Sequence, residues 1–323
     1  MTQHRTRLAY CTALGRAYES SVEDFLESKA GLDASASGTL LLTSPPYPLR
    51  KKKKYGNLEG DEYLEWIGSV FAKASQLLGP QGSLVVEIGN AWDPGQPTMS
   101  TLPLRTLINI GEETGFQVCQ QFICHNTARL PGPAQWVTIE RRRVKDTYTH
   151  VWWFSKDPYV PADNRTVVEQ YSESMEKLLR TKKYNSGERP SGWRMNETSF
   201  LKDHGGAIPG NVLLFSNTNN DAGYRTWCQG IGVTPHPARM PKTLAQFFID
   251  FLTKPGDLVI DIFAGSNTTG YIAEASGRQW LSIERNPNYL LSSLGRFANH
   301  RSTLTAQNAP YREARRLLQH HAQ

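Results

Sequence analysis

Residues 258–284 restrict the fold more than any other part of the chain. Leu258-Val259-Ile260-Asp261-Ile262-Phe263 is a short apolar run suited to a buried strand, and it passes directly into Ala264-Gly265-Ser266-Asn267-Thr268-Thr269-Gly270. A helix follows, and Trp280-Leu281-Ser282-Ile283-Glu284 forms the next strand, closing on an acid. Strand, glycine loop, helix and strand with a terminal acid is a nucleotide-binding arrangement of doubly wound sheets, in which that carboxylate can accept from both ribose hydroxyls. The loop is not GxGxxG and lacks GK[ST], so it suits neither a dinucleotide nor a triphosphate, and an adenosine without phosphate remains. The alternative is an ordinary glycine turn of a parallel sheet; Glu284 at the expected place counts against it.

Upstream, the pattern also alternates. Thr39 to Thr43 is a buried strand stopped by Ser44-Pro45-Pro46, because proline cannot continue a ladder. The three- and four-residue spacing of Tyr63, Trp66, Ile67, Val70, Phe71, Ala74, Leu77 and Leu78 predicts an amphipathic helix over 62–78, ended by Gly79-Pro80. Leu84 to Gly89 is a second buried strand interrupted by one acid, Glu87; 101–114 predicts a helix and 116–124 a strand. A mostly parallel sheet covered by helices follows. Between about 156 and 233 the periodicity fades into Gly, Pro, Asn, Ser and basic residues, yet Trp193, Phe200, Ile208 and Val212 to Phe215 make the stretch too apolar for a free linker. We expect one catalytic domain from residues 1–155 and 234–303, an irregular target-recognition region over 156–233, and a polar, frayed tail from 304 to 323.

The Ser44-Pro45-Pro46-Tyr47 loop offers chemistry. An exocyclic base amine is a poor nucleophile, because its lone pair is delocalised into the ring. Acceptors must draw the amine hydrogens so that the lone pair turns toward a methyl donor. Ser44 Oγ and the Pro45 carbonyl, on a backbone stiffened by Pro46, could be those acceptors, and Tyr47 can stack on the ring. Glu87 could take the displaced proton or orient Ser44; otherwise it is an exposed residue at a strand end.

The 323-residue chain carries a net charge of +6, which favours a polyanionic partner. Two basic runs concentrate it: Arg50-Lys51-Lys52-Lys53-Lys54, directly after the loop, and Arg141-Arg142-Arg143, with Trp136, Tyr148, Trp152 and Trp153 near the second. Both are candidate contacts to double-stranded DNA, solvated loops being the alternative. No apolar run approaches the roughly 20 residues of a membrane span, and the N-terminus has no secretory pattern, so no membrane partner and a cytoplasmic, nucleoid-associated location are expected. The four cysteines form no CxxC pair, and Cys124-His125 point to opposite strand faces, so no metal is expected.

Taken together, TSPPYPL with KKYGNLE, GSLVVEIG, RRRVKD, VWWFSK, KDHGGAIPGN, HPARMP and DIFAGSNTTG followed by SIE resemble the β-group of amino-methyltransferases that act on DNA, and among them the PvuII-type cytosine-N4 enzymes. The resemblance spans residues 39 to 284. It implies a Rossmann-like sheet and an S-adenosylmethionine site at Asp261, Phe263, Ala264, Gly265, Ser266, Asn267, Thr268, Thr269 and Glu284, with His236, Pro237 and Arg239 lining it from the preceding segment. It makes Ser44 to Tyr47 the catalytic loop. Serine at its first position is similar to cytosine-N4 enzymes, where adenine-N6 enzymes usually carry an acid or amide. Glu87 matches a carboxylate implicated in catalysis, one carbon shorter in the PvuII type. The family's usual Gly-Asp pair before the catalytic strand is replaced by Tyr18-Glu19-Ser20-Ser21-Val22-Glu23; either Glu19 substitutes from a shifted register or the contact is made differently. Adenine-N6 or RNA methylation, and a DNA-binding protein without catalysis, are the competing readings. A cognate restriction endonuclease acting separately is the further partner such a family allows.

Overall fold

The computed structural model describes residues 6–47, 58, 60–183, 186–196, 198, 200–215, 221–300, 302–306 and 308–320. In chain order the elements are β1 (Arg7–Cys11), β2 (Gly15–Glu19), α1 (Val22–Glu27), α2 (Lys29–Asp33), β3 (Gly38–Thr43), α3 (Gly60–Ala74), β4 (Leu78–Gly89), α4 (Leu102–Thr114), β5 (Gln117–His125) and β6 (Tyr148–Ser155). Then come α5 (Glu173–Thr181), β7 (Gly187–Glu188), β8 (Arg194–Met195), β9 (Val212–Leu214), α6 (Ala222–Gly230), α7 (Lys242–Leu252), β10 (Leu258–Asp261), α8 (Thr268–Ala275), β11 (Gln279–Glu284), α9 (Pro287–Ser293), β12 (Thr305–Ala306) and α10 (Ala309–His320).

Ten strands form one sheet in the order β12-β1-β2-β11-β10-β3-β4-β6-β5-β9, and β7 and β8 pair separately. The pairs from β2 through β11, β10 and β3 to β4 are parallel, whereas β6 lies antiparallel between β4 and β5. This is the doubly wound, mostly parallel α/β sheet expected. From β3 the chain crosses through α3 to β4 on one side, and from β10 through α8 to β11 on the other. The adjacent pair β3/β10 is therefore the switch point of the sheet, outside whose carboxyl ends such folds place their ligands.

Strands at this centre are apolar along both faces because both are covered. Leu40 and Leu42 belong to one core cluster, with α6, α7, α9 and α10; Leu41 belongs to the other, with Phe71 of α3 and Ile110 of α4. Each such side chain contributes about 1.5–3 kcal/mol on burial.

Three expectations change here. The α-helix expected over 62–78 ends at Ala74 and runs on as one 3-10 turn through Leu77, and Leu78 already pairs with Gly38; Gly79 and Pro80 fall where the β3/β4 register shifts, a break that tolerates a residue unable to donate. Residues 304–320 are not a frayed tail: β12 pairs with β1, and Leu304, Tyr311, Ala314 and Leu318 are buried in the core. The Tyr311 hydroxyl donates to Glu19 Oε2 at 2.9 Å. Their polar neighbours on an amphipathic helix hid them. Finally, α6 lies within the stretch expected to be irregular, yet Tyr224, Trp227 and Cys228 enter the core, while α5 and the β7/β8 hairpin remain at the surface. Among the described residues no helix is long and apolar enough to cross a membrane.

Candidate active site

Two cavities meet outside the carboxyl ends of β3 and β10, with Ser44 and Tyr47 lining both. The larger, about 790 Å³, lies within the range of pockets that hold small molecules. Its walls include Asp261, Phe263, Ala264, Gly265, Ser266, Thr268, Thr269 and Glu284, together with His236 and Arg239. Gly265 has φ +50°, and a Cβ there would lie 3.0 Å from His236 Nε2, so glycine allows the turn and the histidine to close on each other.

The acids on this wall are held by the backbone. Glu284 accepts from Gly265 N at 2.8 Å and from Asn286 N at 2.7 Å, and burial pushes its carboxyl up to about 7. Asp261 accepts from Thr43 Oγ1 and Thr269 Oγ1, both at 2.7 Å, and from Phe263 N, so it ties β3, β10 and α8 together; burial raises its pKa also. Two expected residues stand elsewhere. Asn267 is fully buried: its Oδ1 accepts from Gly270 N and Ser282 Oγ and its Nδ2 donates to Tyr10, which makes it the cap of α8 rather than a wall of the cavity. Pro237 lines the second cavity instead.

Two acids stand where the family's usual Gly-Asp pair would be. Glu19 is engaged by Tyr311, whereas Glu23, at the start of α1, lines the large cavity and accepts from Trp66 Nε1 at 2.8 Å. Trp66 in turn packs against Phe263, with ring centroids 5.9 Å apart. Helical spacing had marked Trp66 only as part of an apolar face.

The second cavity, about 410 Å³, has Glu87 in its wall. Far from being an exposed strand end, Glu87 is buried, and burial raises its pKa despite the hydroxyls of Thr149 (3.0 Å), Ser44 and Tyr47 that hydrogen-bond to it and the charge of Arg129 nearby. The Tyr47 ring lies against Gly89, where a Cβ would come within 2.6 Å of it, and burial with the neighbouring Glu87 charge pushes its phenol up. Tyr63 Oη donates to the Pro46 carbonyl at 3.1 Å, fixing the proline loop from the helix side. Neither Arg129 nor Thr149 carries any pattern in the sequence; only the β4/β6 pairing brings Thr149 beside this strand.

Of the two basic runs, Arg50 and Lys51 to Lys54 lie outside the described residues. Arg142 Nε sits 3.0 Å from Glu140 and Arg143 Nη2 3.5 Å from Asp146, because both backbone amides fold back onto the Trp136 carbonyl. Arg141 is exposed, and among the described residues it has no acidic partner. Trp152 and Trp153 are buried in the sheet and face no ligand surface. Among the described residues no cluster of His, Cys, Asp and Glu could hold a metal.

Comparison with known proteins agrees with this geometry. The DNA methylase family model matches residues 39–294. The chain is 42% identical to the type II methyltransferase M.PvuII of Proteus hauseri, covering 90% of this chain and 86% of that one. It is 26% identical to M.BglI of Bacillus subtilis, covering 78% and 77%. The solved structure of PvuII DNA methyltransferase (cytosine-N4-specific) superposes with a TM-score of 0.73 at 34% identity, covering 98% of this chain and 95% of that one.

Proposed function

The chain belongs to the DNA methylase family, and from that premise we propose that it transfers a methyl group from S-adenosylmethionine to N4 of a cytosine turned out of duplex DNA. One observation carries this reading: Ser44, Tyr47 and Thr149 converge on a buried carboxylate, Glu87, at the wall where a cofactor-sized cavity opens into a second, polar one.

The large cavity fits the cofactor, because three carboxylates, Glu23, Asp261 and Glu284, line a space whose walls also carry the aromatic rings of Trp66, Phe263 and Tyr63. When bound, S-adenosylmethionine supplies an electrophilic methyl group. The chain supplies the rest. A Ser44 hydroxyl that donates to Glu87 keeps its lone pairs for an amine hydrogen, and the Pro45 carbonyl, on a loop fixed by Pro46 and Tyr63, takes the other. The nitrogen lone pair is thereby released from the ring toward the methyl group. Methylation leaves the amine with a proton to lose, and Glu87, whose carboxyl burial makes more basic than an ordinary carboxylate, is placed to accept it through Ser44. Tyr47, pinned against Gly89, offers the stacking face that offsets part of the few kcal/mol needed to extrude the base.

Cytosine N4 is favoured over adenine N6 by serine at the first loop position and by the cytosine-N4-specific relative. DNA is favoured over RNA by the same relatives, and both cavities being formed favours catalysis over a binding protein. The surface elements of 156–211 are the proposed target readers, the cytoplasmic nucleoid the proposed location, and a separately acting restriction endonuclease the proposed partner system.

Digesting methylated duplex to nucleosides tests the product: N4-methylcytosine is expected, and N6-methyladenine alone would overturn the assignment. Ser44→Ala is expected to lower kcat about 10²- to 10³-fold with cofactor affinity little changed. Loss of cofactor binding together with turnover would remove Ser44 from the chemical step.

A further inference from the structure

The smaller cavity holds more positive charge than its chemistry on the base requires. Besides Glu87 and Asp221 it is lined by Arg129, Arg225, Arg239 and Lys242. Asp221 precedes α6 and alone faces three cations: Lys242 Nζ at 3.0 Å, Arg239 Nε at 3.1 Å and Arg296 Nη1 at 3.2 Å. One carboxylate cannot balance three cations. Arg296 is 2% exposed and spends its remaining donors on the Ser266 carbonyl and hydroxyl and its face on the Tyr224 ring. Arg239 also donates to the His236 carbonyl. Lys242, at the start of α7 and 32% exposed, is the most open of the three. Arg225 lies one turn into α6, its amide donating to the Asp221 carbonyl, with its side chain exposed. Among the described residues its guanidinium has no ion-pair partner.

We propose that Arg225 and Lys242 form a phosphate site at the mouth of this cavity, which grips the DNA backbone phosphate flanking the extruded nucleotide. The inference rests on the base occupying this cavity, since a base seated against Ser44 and Glu87 carries its sugar and phosphates to the opening. It places backbone recognition on α6 and α7, apart from both basic runs of the sequence. Both residues line this cavity and not the larger one, which separates a DNA phosphate from the other anion at hand, the carboxylate at the amino-acid end of the cofactor. Asp221 gives the site a second property: by holding Lys242 and Arg296 at once, it connects the phosphate grip to Ser266 in the cofactor loop.

The test pairs a change in the protein with a change in the DNA. Wild type, Arg225→Gln and the Arg225→Gln/Lys242→Gln double variant are assayed on a synthetic duplex bearing the methylated site. The phosphates beside the target cytosine are either intact or replaced by uncharged methylphosphonates. Neutralising the contacted phosphate is expected to weaken wild-type duplex binding and single-turnover transfer roughly tenfold, the double variant to lose a similar factor, and the two changes together to be little worse than one. Losses that multiply, or a wild type indifferent to the methylphosphonates, overturn the site. An equal loss of S-adenosylmethionine affinity without DNA assigns the cations to the cofactor carboxylate and also overturns it. A wild type that methylates no cytosine in any duplex is a different result, refuting the functional reading beneath. The methylphosphonate arm needs no variant, so it holds even where the double variant folds poorly.

Discussion

Cofactor affinity should depend on pH through Glu284. Each of its carboxylate oxygens already accepts one backbone amide, from Gly265 and from Asn286, which leaves the remaining lone pairs for the ribose hydroxyls. Those hydroxyls donate to the ionised form, whereas burial pushes the carboxyl up from 4.5 to about 7. Binding must therefore deprotonate Glu284, and the cost grows as pH falls below that value. With a free-state value of about 7 and an ionised bound state, the fraction ready to bind is roughly one in eleven at pH 6 and ten in eleven at pH 8. Kd should thus rise about tenfold from pH 8 to pH 6, some 1.4 kcal/mol, with about half a proton released per ligand at pH 7.

The probe should be 5′-methylthioadenosine, which keeps adenine and ribose but lacks the amino-acid end that titrates in the same range. Calorimetry in two buffers of different ionisation enthalpy gives both Kd and the proton count. Glu284→Gln should bind more weakly at pH 8 and show no slope. The free protein carries the opposite sign: a carboxyl raised on folding contributes stability below 4.5 that is lost as pH rises to about 7, so unfolding midpoints should fall across that window and recover with ligand. A wild-type Kd that is flat, or tightens toward pH 6, refutes the ribose role, as does a Glu284→Gln variant with the wild-type slope.

Other substitutions probe the remaining contacts. Gly89→Ala should place a methyl 2.6 Å from Tyr47 Cε2 and displace the ring, lowering kcat about 10- to 100-fold while cofactor Kd and urea midpoint barely move. Glu23→Gln keeps an acceptor for Trp66 but removes a charge from the cofactor cavity; S-adenosylmethionine should bind about 5- to 10-fold more weakly and methylthioadenosine unchanged, by calorimetry. Tyr311→Ala should cost about 3–5 kcal/mol in urea unfolding, since the ring is fully buried; a change under about 0.5 kcal/mol would restore the frayed tail.

What the sequence disclosed follows from how locally each feature is encoded. Buried parallel strands carry their signal within six residues, so β3, β10 and β11 could be read directly, and the proline and glycine loops marked where those strands end. Long-range partners leave no such trace. Thr149 reaches Glu87 only because β6 inserts antiparallel beside β4, and Asp221 gathers cations from positions 239, 242 and 296. Composition misled for a related reason: Arg142 and Arg143 look like a free basic patch until Glu140 and Asp146 fold against them, and α10 looks like a tail until its apolar stripe is set on the core. Asn267 sat in a loop read as ligand-binding throughout, yet its side chain is taken up inside the fold, capping the start of α8 and bonding Ser282 and Tyr10.

The two chemical loops are more than 200 residues apart in the chain, and their register is set by the sheet rather than by either loop. Leu40 and Leu41 pair with Val259 and Ile260, which brings Thr43, the last residue of β3, within 2.7 Å of Asp261, the last of β10. Because crossovers leave these two strands in opposite directions, a crevice opens between their ends, and both the proline loop and the glycine loop line it. Asp261 is consequently a fastener as much as a wall: Thr43, Thr269 and the Phe263 amide occupy it, and a shift of one strand past the other would strand a buried carboxylate without donors. That penalty holds Ser44, one residue beyond Thr43, at a fixed distance from the cofactor cavity, and in-line transfer between two separately bound molecules depends on such fixity.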